Sequence, residues 1–203
     1  MTRKLAIFDK RDQMALLGAC EGDNEFVPVW LMMRCGMHPS DVSAASSKLV
    51  WHFRSGLSLE WKRAKNAQPR REMIPRNVAL RLDHWMKRGR KLTRQGYFHL
   101  VRRVGDRVGH PEYSPLSLRH TFCLNELRRF NDMPKTPPDI FSLVAIKMGC
   151  SEKIVKQHYI DLKDWERLGE EDDEPDTREV FDRIEKGPKD VMNARRGVRA
   201  SHK

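Results

Sequence analysis

The spacing of apolar residues along the chain predicts a protein built mainly from helices. Apolar positions recur at helical intervals over residues 9–21, 25–34, 77–87, 94–108, 117–130, 138–148 and 151–162. Gly36 suits a sharp turn after the second of these helices, and Pro39 is expected to begin a short helix after that turn. Thr93, Ser117 and Ser151 are expected to cap three helices, because a hydroxyl at that place accepts a hydrogen bond from an unpaired amide of the first turn.

A different pattern separates the early helices from the later ones. Apolar and polar residues alternate over residues 49–53 and 57–61, on either side of the turn residues 54–56, which predicts a β-hairpin. Residues 72–75 are a candidate third strand. The expected fold class is therefore mainly α with a small antiparallel β-sheet, an α+β arrangement. The apolar periodic segments also contain the tryptophans expected in the core: Trp30, Trp51, Trp61 and Trp85.

The composition changes after residue 162. Residues 170–176 are almost entirely acidic, a run that favours solvation over packing. Residues 177–186 predict a short amphipathic helix, and residues 189–203 form a basic tail. We therefore expect one main domain over residues 1–162, followed over residues 163–203 by an acidic linker, a short amphipathic helix and the basic tail.

The charge of the chain points to a polyanionic partner. Its 203 residues are 39% hydrophobic and 33% charged, which suits one globular core, and its formal net charge is +11. Residues 162–203 contain ten Lys and Arg against twelve Asp and Glu, which leaves 29 against 16, a net charge of +13, in residues 1–161. Clustered Lys and Arg gain affinity for nucleic acid by releasing counterions from its phosphates.

Several other classes of protein are disfavoured. The four cysteines occur singly, without a CxxC pair or a secretory signal, which favours a reduced cytoplasmic setting. The longest apolar stretch, residues 26–33, is far shorter than the ~20 residues that a membrane span needs. The eight histidines are too dispersed to predict a metal centre. We expect a soluble cytoplasmic protein without a bound metal.

Two segments of the second half share a family pattern. The run Arg119-His-Thr-Phe122, then Gly149-Cys-Ser151 and then Tyr159, resembles the second and third boxes and the nucleophilic tyrosine of the tyrosine recombinase (phage integrase) family, including its archaeal and viral types. Leu116 and Cys150 stand where that family usually has histidines.

The first half of the chain extends the resemblance. The segment Cys35–Val42 is similar to the family's first box and has His38 in place of the first catalytic arginine. Residues 57–66 and 70–75 are similar to the family's β-hairpin, in which Lys65 aligns with the catalytic lysine. The similarity covers about residues 8–162, and the four segments occur in the family's order. It implies the fold of a tyrosine recombinase catalytic domain.

The resemblance also implies a reaction. Cleavage of a phosphodiester by tyrosine needs a phenol in line, cations on the non-bridging oxygens and a proton donor for the leaving oxygen. The implied catalytic residues are Tyr159, Arg119, Lys65, His38, Cys150 and His120, and the implied DNA-binding residues are Arg63, Arg70, Arg71 and Arg94. Of these, five are expected to converge on one basic concave face: His38, Lys65, Arg119, Cys150 and Tyr159. The family uses no cofactor and assembles on double-stranded DNA, so neither a small-molecule substrate nor a membrane is expected, and the chain would act at the nucleoid.

Plainer interpretations stay open for the same residues. Tyr159 would otherwise be a half-buried tyrosine, Lys65 a contact to the DNA backbone, Cys150 a small buried residue and His120 a structural one. Arg34, one turn before His38, is a possible substitute for the missing arginine. At the level of the protein, the alternatives are a homologue that binds DNA without cleaving it and an unrelated basic helical protein that binds RNA or DNA. Because the first box begins by residue 35, the family's amino-terminal DNA-clamping domain is expected to be absent, which predicts weak, salt-sensitive binding.

Overall fold

The computed structural model describes residues 8–44, 58–62, 69–133 and 139–158. All of them belong to the first of the two units into which the chain divides, Met1–Gly169 and Glu170–Lys203. Within them the elements are α1 (Lys10–Gly18), α2 (Asp23–Arg34), α3 (Pro39–Ser43), β1 (Ser58–Lys62), β2 (Pro69–Met73), α4 (Arg76–Arg88), α5 (Arg94–Arg107), α6 (Pro115–Asn131), α7 (Ile140–Met148) and α8 (Glu152–His158). The predicted class, mostly helical with a small antiparallel sheet, is confirmed for this part of the chain.

Most helix starts follow the expected capping chemistry. The hydroxyl of Thr93 accepts a hydrogen bond from the Gly96 amide, and that of Ser151 accepts one from the Ile154 amide. The predicted cap of α6 is wrong, because Ser114 caps this helix and its Oγ accepts from the Ser117 amide at 3.2 Å. Pro115, at the first helical position, lacks an N–H and already has a helical φ, so the helix starts earlier than residue 117.

Helix α2 lies at the centre of the described core. Residues 25–33 of this helix are all buried, and it packs against α3, α4, α5 and α6. A helix that is apolar on nearly all sides must be enclosed in this way to be stable. Trp30 and Trp85 are buried as predicted, whereas Trp51 lies outside the described residues.

The described sheet consists of one antiparallel pair. Strand β1 pairs with β2, so that Ser58 faces Met73 and Trp61 faces Arg70. Trp61 is 3% exposed, which confirms its predicted place in the core. The first strand of the predicted hairpin, residues 49–53, lies outside the described residues, and the strand predicted at residues 72–75 occurs as Pro69–Met73.

The last predicted elements are described only in part. Helix α7 begins at Ile140, two residues later than predicted, because Asp139 caps it through a hydrogen bond from the Ser142 amide. The predicted helix at residues 151–162 is described up to His158. The acidic run, the amphipathic helix and the basic tail all lie outside the described residues, so the division near residue 162 stays a prediction. None of the described helices combines the length and the apolar character needed to cross a membrane.

Candidate functional site

Arg119 joins its own helix, α6, to two turns that are far apart in sequence. This side chain is 4% exposed on α6, and its Nη1 donates a hydrogen bond to the carbonyl of Gly36, in the turn between α2 and α3. Its Nη2 donates to the carbonyl of Met148 at 3.4 Å, at the end of α7. The segments that resemble the three boxes of the family therefore meet at one guanidinium.

The first turn requires its glycine. Gly36 has a φ of 60°, in the left-handed region that residues with a Cβ rarely adopt. A Cβ added there would also collide with the ring of Phe122, which lies on α6 one turn from Arg119. The amides of Cys35 and Met37 both donate to the carbonyl of Leu31, at 3.1 and 3.2 Å, which closes the end of α2. The turn is therefore shaped against the helix that carries Arg119.

His38 caps helix α3, and this contact indicates its tautomer. Its Nδ1 accepts a hydrogen bond from the Ser40 amide at 3.3 Å and lies 2.8 Å from the Ser40 hydroxyl. The backbone amide of His38 in turn donates to Asp41 Oδ2 at 3.2 Å, which completes a capping box. A backbone amide can only donate, so this contact favours the tautomer with an unprotonated Nδ1 and its hydrogen on Nε2. The cap favours a neutral His38 that donates through Nε2 over a cationic ring that replaces an arginine.

The second turn also rests on a left-handed glycine. Gly149 has a φ of 61° and a ψ of 48° and ends α7, and the Cys150 amide donates to the carbonyl of Ala145 at 3.1 Å. The half-buried side chain of Cys150 packs against an apolar cluster that includes Cys123. This packing agrees with the plainer interpretation of Cys150 as a small apolar residue at a helix start.

His120 and Leu116 lie on α6 beside Arg119 but differ in exposure. His120 is 4% exposed and the neighbouring Thr121 is 1% exposed, with the Thr121 hydroxyl donating to the carbonyl of Ser117. Leu116 is 49% exposed. The burial of His120 agrees with the structural alternative for that residue.

A lysine that the sequence did not single out holds the hairpin against the helices. Lys147 Nζ lies 2.7 Å from Glu72 on β2 and 2.8 Å from Glu126 on α6. Cys35, at the end of α2, is buried nearby, and its pKa is raised well above the usual value by burial and by the charge of Glu72. The hairpin is therefore anchored close to the turn that contains Gly36. No local pattern could have identified Lys147, because Glu72 is 75 residues away in sequence.

Two central residues of the predicted site lie outside the described residues. Lys65 and Arg63 belong to residues 63–68, which connect β1 to β2, and Tyr159 directly follows the last residue of α8. The structure therefore brings together the turn before His38, Arg119 and the turn that contains Cys150, while the positions of Lys65 and Tyr159 stay predictions.

The predicted DNA-binding arginines occupy two places. Arg70 and Arg71 lie on β2, where Arg71 Nε donates to the Ser58 hydroxyl across the strand pair at 3.0 Å. Arg94 is exposed at the first position of α5. Arg34, the possible substitute for the missing arginine, is half-buried at the end of α2, and burial lowers the pKa of its guanidinium. Among the described residues, no cluster of three His, Cys, Asp or Glu side chains suits a metal ion.

Comparison with known proteins supports the relationship that these segments indicate. A 66-residue segment is 38% identical to tyrosine recombinase XerC of Herpetosiphon aurantiacus; it covers 31% of this chain and 21% of that relative. The chain thus matches about a fifth of the relative's length. No family model matches the chain. The segment supports a relationship to the tyrosine recombinases and a recombinase-like role.

Proposed function

We propose that this protein is a recombinase or integrase-like enzyme that cleaves and rejoins double-stranded DNA through a 3′-phosphotyrosine intermediate at Tyr159. The observation that carries the proposal is that helix α6 meets two distant turns at Arg119, through the carbonyls of Gly36 and Met148. The partial similarity to a tyrosine recombinase supports it independently. The protein would act without a cofactor, in the cytoplasm and at the nucleoid.

Each residue has a defined role in this proposal. The Tyr159 phenolate attacks the scissile phosphorus, and the departing 5′-oxygen takes a proton from Lys65, so that one ester bond replaces another. A guanidinium has five N–H donors, and the two carbonyls use two of those on Arg119, so the others are assigned to the non-bridging oxygens. His38 would add a neutral donor through Nε2, and Cys150 would help to shape the second turn.

A suicide substrate tests the proposed chemistry. Such a DNA duplex loses a short strand after cleavage, so that the covalent adduct between protein and DNA accumulates and is resolved on a denaturing gel. We expect an adduct with the natural sequence and none with Tyr159→Phe, which lacks the nucleophile. Tyr113→Phe is the matched control, because it removes a phenol from a buried residue elsewhere and should leave the adduct in place. An adduct that persists in Tyr159→Phe would disprove the assignment of the nucleophile.

A second candidate function is DNA binding without cleavage, in an accessory or regulatory role. It is favoured by the burial of Arg119, which is 4% exposed with both Nη atoms on carbonyls. The neutral capping role of His38 and the apolar packing of Cys150 point the same way. Duplex binding without any adduct, on substrates that carry the natural attachment site, would select this function over the first.

A further inference from the structure

We propose that the segment that connects α4 to α5 presents a binding surface for the sugar–phosphate backbone of duplex DNA, with Arg88, Arg90 and Arg94 as its phosphate contacts. We call these three side chains the α4–α5 surface. The inference rests on the proposed function for the identity of the nucleic acid, and it adds the place where the flanking backbone lies.

The charge of the segment is unbalanced. Five of the eight residues from Lys87 to Arg94 are basic and none is acidic. Lys87 is paired with Asp83 on its own helix, at 2.8 Å. In contrast, the exposed side chains of Arg88, Arg90 and Arg94 form no hydrogen bond or ion pair with another side chain in the described ranges. Three adjacent arginines without counter-charges repel one another, and a polyanion relieves that repulsion.

The segment is held firmly although most of it is not helical. The Gly89 amide donates to the carbonyl of Trp85 at 2.6 Å, and the Arg90 amide donates to Asn24 Oδ1 at 2.8 Å. The Leu92 amide donates to the hydroxyl of Tyr97 at 3.3 Å. Because successive backbone groups are fixed to the helices, the arginines start from ordered positions, and less conformational entropy is lost when they bind.

The side chain of Lys91 lies beneath the segment and helps to hold its backbone in place. Its Nζ sits 3.1 Å from the centroid of the Trp85 ring and donates to the Trp85 carbonyl at 3.3 Å. Burial lowers the pKa of its amine to about 8. This lysine therefore anchors the segment from the inside, while Arg90 before it and Arg94 after it are exposed to solvent.

A hydrogen bond connects this surface to the candidate site. The Ser43 hydroxyl, at the end of α3, donates to the carbonyl of Leu92 at 2.7 Å. His38 caps the other end of α3, and a helix of five residues is about 7 Å long at ~1.5 Å per residue. The surface therefore begins about one short helix from His38. A duplex with a phosphate near His38 would carry its flanking phosphates towards these arginines, which favours duplex DNA over another polyanion.

A triple substitution tests the surface. For Arg88→Ala/Arg90→Ala/Arg94→Ala, we expect a shallower slope of log K, the DNA-binding constant, against the logarithm of the salt concentration. The slope should change by about 2.7, since each lost phosphate contact changes it by ~0.9. Raising the salt from roughly 50 to 200 mM should then weaken the natural sequence about 40-fold more than the variant. Fluorescence anisotropy with a labelled duplex measures this difference, and circular dichroism verifies that the variant is folded.

A matched variant separates a local contact from a general effect of charge. Arg11→Ala/Arg102→Ala/Arg129→Ala removes the same charge from exposed arginines on α1, α5 and α6 and should leave the salt dependence nearly unchanged. An equal change in both variants would overturn the proposal, as would an unchanged salt dependence in the first. Tighter binding of single-stranded RNA than of the duplex, lost in the first variant, would overturn the assignment to DNA.

The covalent assay distinguishes the two proposals. Because the first variant loses DNA contacts, it should need more protein than the natural sequence to form the Tyr159 adduct, and this difference should shrink as the salt concentration rises. If the adduct formed and the salt dependence of DNA binding were unchanged in the first variant, the α4–α5 surface would be disproved and the proposed function would stand. If the natural sequence formed no adduct and the first variant still showed the shallower salt dependence, the cleavage reaction would be disproved and the α4–α5 surface would stand.

Discussion

At the scale of single residues, Arg119 links structure and proposed chemistry. Its guanidinium supplies hydrogen-bond donors to the carbonyls of Gly36 and Met148 in the interior of the protein. The same bonds fix the plane of the guanidinium, which a bidentate contact to phosphate requires. A side chain with this position contributes to folding whether or not the protein cleaves DNA.

We therefore expect Arg119→Met to destabilise the fold. Methionine keeps most of the volume but removes the guanidinium donor from the carbonyls of Gly36 and Met148, at a cost of about 1–3 kcal/mol. Urea unfolding followed by circular dichroism measures the change. Arg129→Met is the control on the same helix, because Arg129 is 51% exposed and paired with Glu126, and exposed pairs contribute about 0–1 kcal/mol. Equal midpoints for the two variants would mean that the bridging bonds do not stabilise the protein.

Some features of the candidate site were predictable from local sequence, and others depend on distant residues. Gly36 and Gly149 were expected at turns, and both have positive φ values, because a glycine signal is local. The capping role of His38 was not anticipated, since histidine is not a preferred residue there. The ion pairs of Lys147 and the carbonyl partners of Arg119 join residues from separate elements, so only the folded structure identifies them.

At the scale of elements, a buried carboxylate fastens α2 to α5. Glu25 is 8% exposed and lies 2.7 Å from Arg103 Nη2 and 2.5 Å from Arg107 Nη1. Its second oxygen also accepts a hydrogen bond from the Glu21 amide at 2.9 Å. Burial alone would raise the pKa of Glu25, but the hydrogen bonds from Arg107, the Glu21 amide and Arg103 together lower it below the usual value.

This cluster predicts a loss of stability in acid. The pKa of Glu25 is lower in the folded state than in the unfolded state, where it is near 4.5. Ionised Glu25 therefore contributes to the free energy of unfolding above that pH, and this contribution is lost as the pH falls through the pKa of the folded state. Glu25→Gln should therefore cost about 1–3 kcal/mol at neutral pH and flatten the decline below pH ~5. Chemical unfolding at several pH values checks both effects.

Glu21→Gln provides the matched comparison for this cluster. Glu21 pairs with the same Arg107, at 3.1 Å, but its side chain is 76% exposed. The solvent screens such a pair, so we expect a change within about 0.5 kcal/mol at any of these pH values. If Glu21→Gln and Glu25→Gln lost the same stability, the burial of Glu25 would not be the source of the effect.

Helices were easier to predict than the partners of strands. Apolar spacing and caps identify a helix from its own residues, and the structure departs from those predictions mainly at ends such as Ser114 and Asp139. Alternation identifies a strand without indicating its neighbour. Alternation paired residues 57–61 with the preceding segment, which lies outside the described residues, whereas the family resemblance paired them with residues 70–75. The pair that the structure describes joins them to Pro69–Met73.

At the scale of the whole molecule, the positive charge lies in one of the two units. Residues 170–203 contain eight Lys and Arg against ten Asp and Glu, which leaves 31 against 18, a net charge of +13, in residues 1–169. The second unit therefore carries a small negative net charge, despite the basic residues 189–203 at its end. If phosphate contacts dominate binding, the first unit should account for most of the affinity for DNA.

Truncation after Gly169 tests this division, because the shortened chain keeps every described element and the whole +13 charge. We expect it to bind duplex DNA with a salt dependence within about one unit of that of the full chain, since ~0.9 corresponds to one phosphate contact. The short amphipathic helix predicted at residues 177–186 is expected to pack into an apolar groove of a neighbouring copy, as a carboxy-terminal helix does in the family that the sequence resembles, so association on DNA, measured by sedimentation, should fall. Truncation after residue 188 removes the basic tail alone and lowers the net charge to +7, so it reveals any contribution of the tail to binding. A large loss of salt dependence in both shortened chains would place the main DNA contacts in the tail. Unchanged association of the chain that ends at Gly169 would exclude residues 170–203 from the contact between copies.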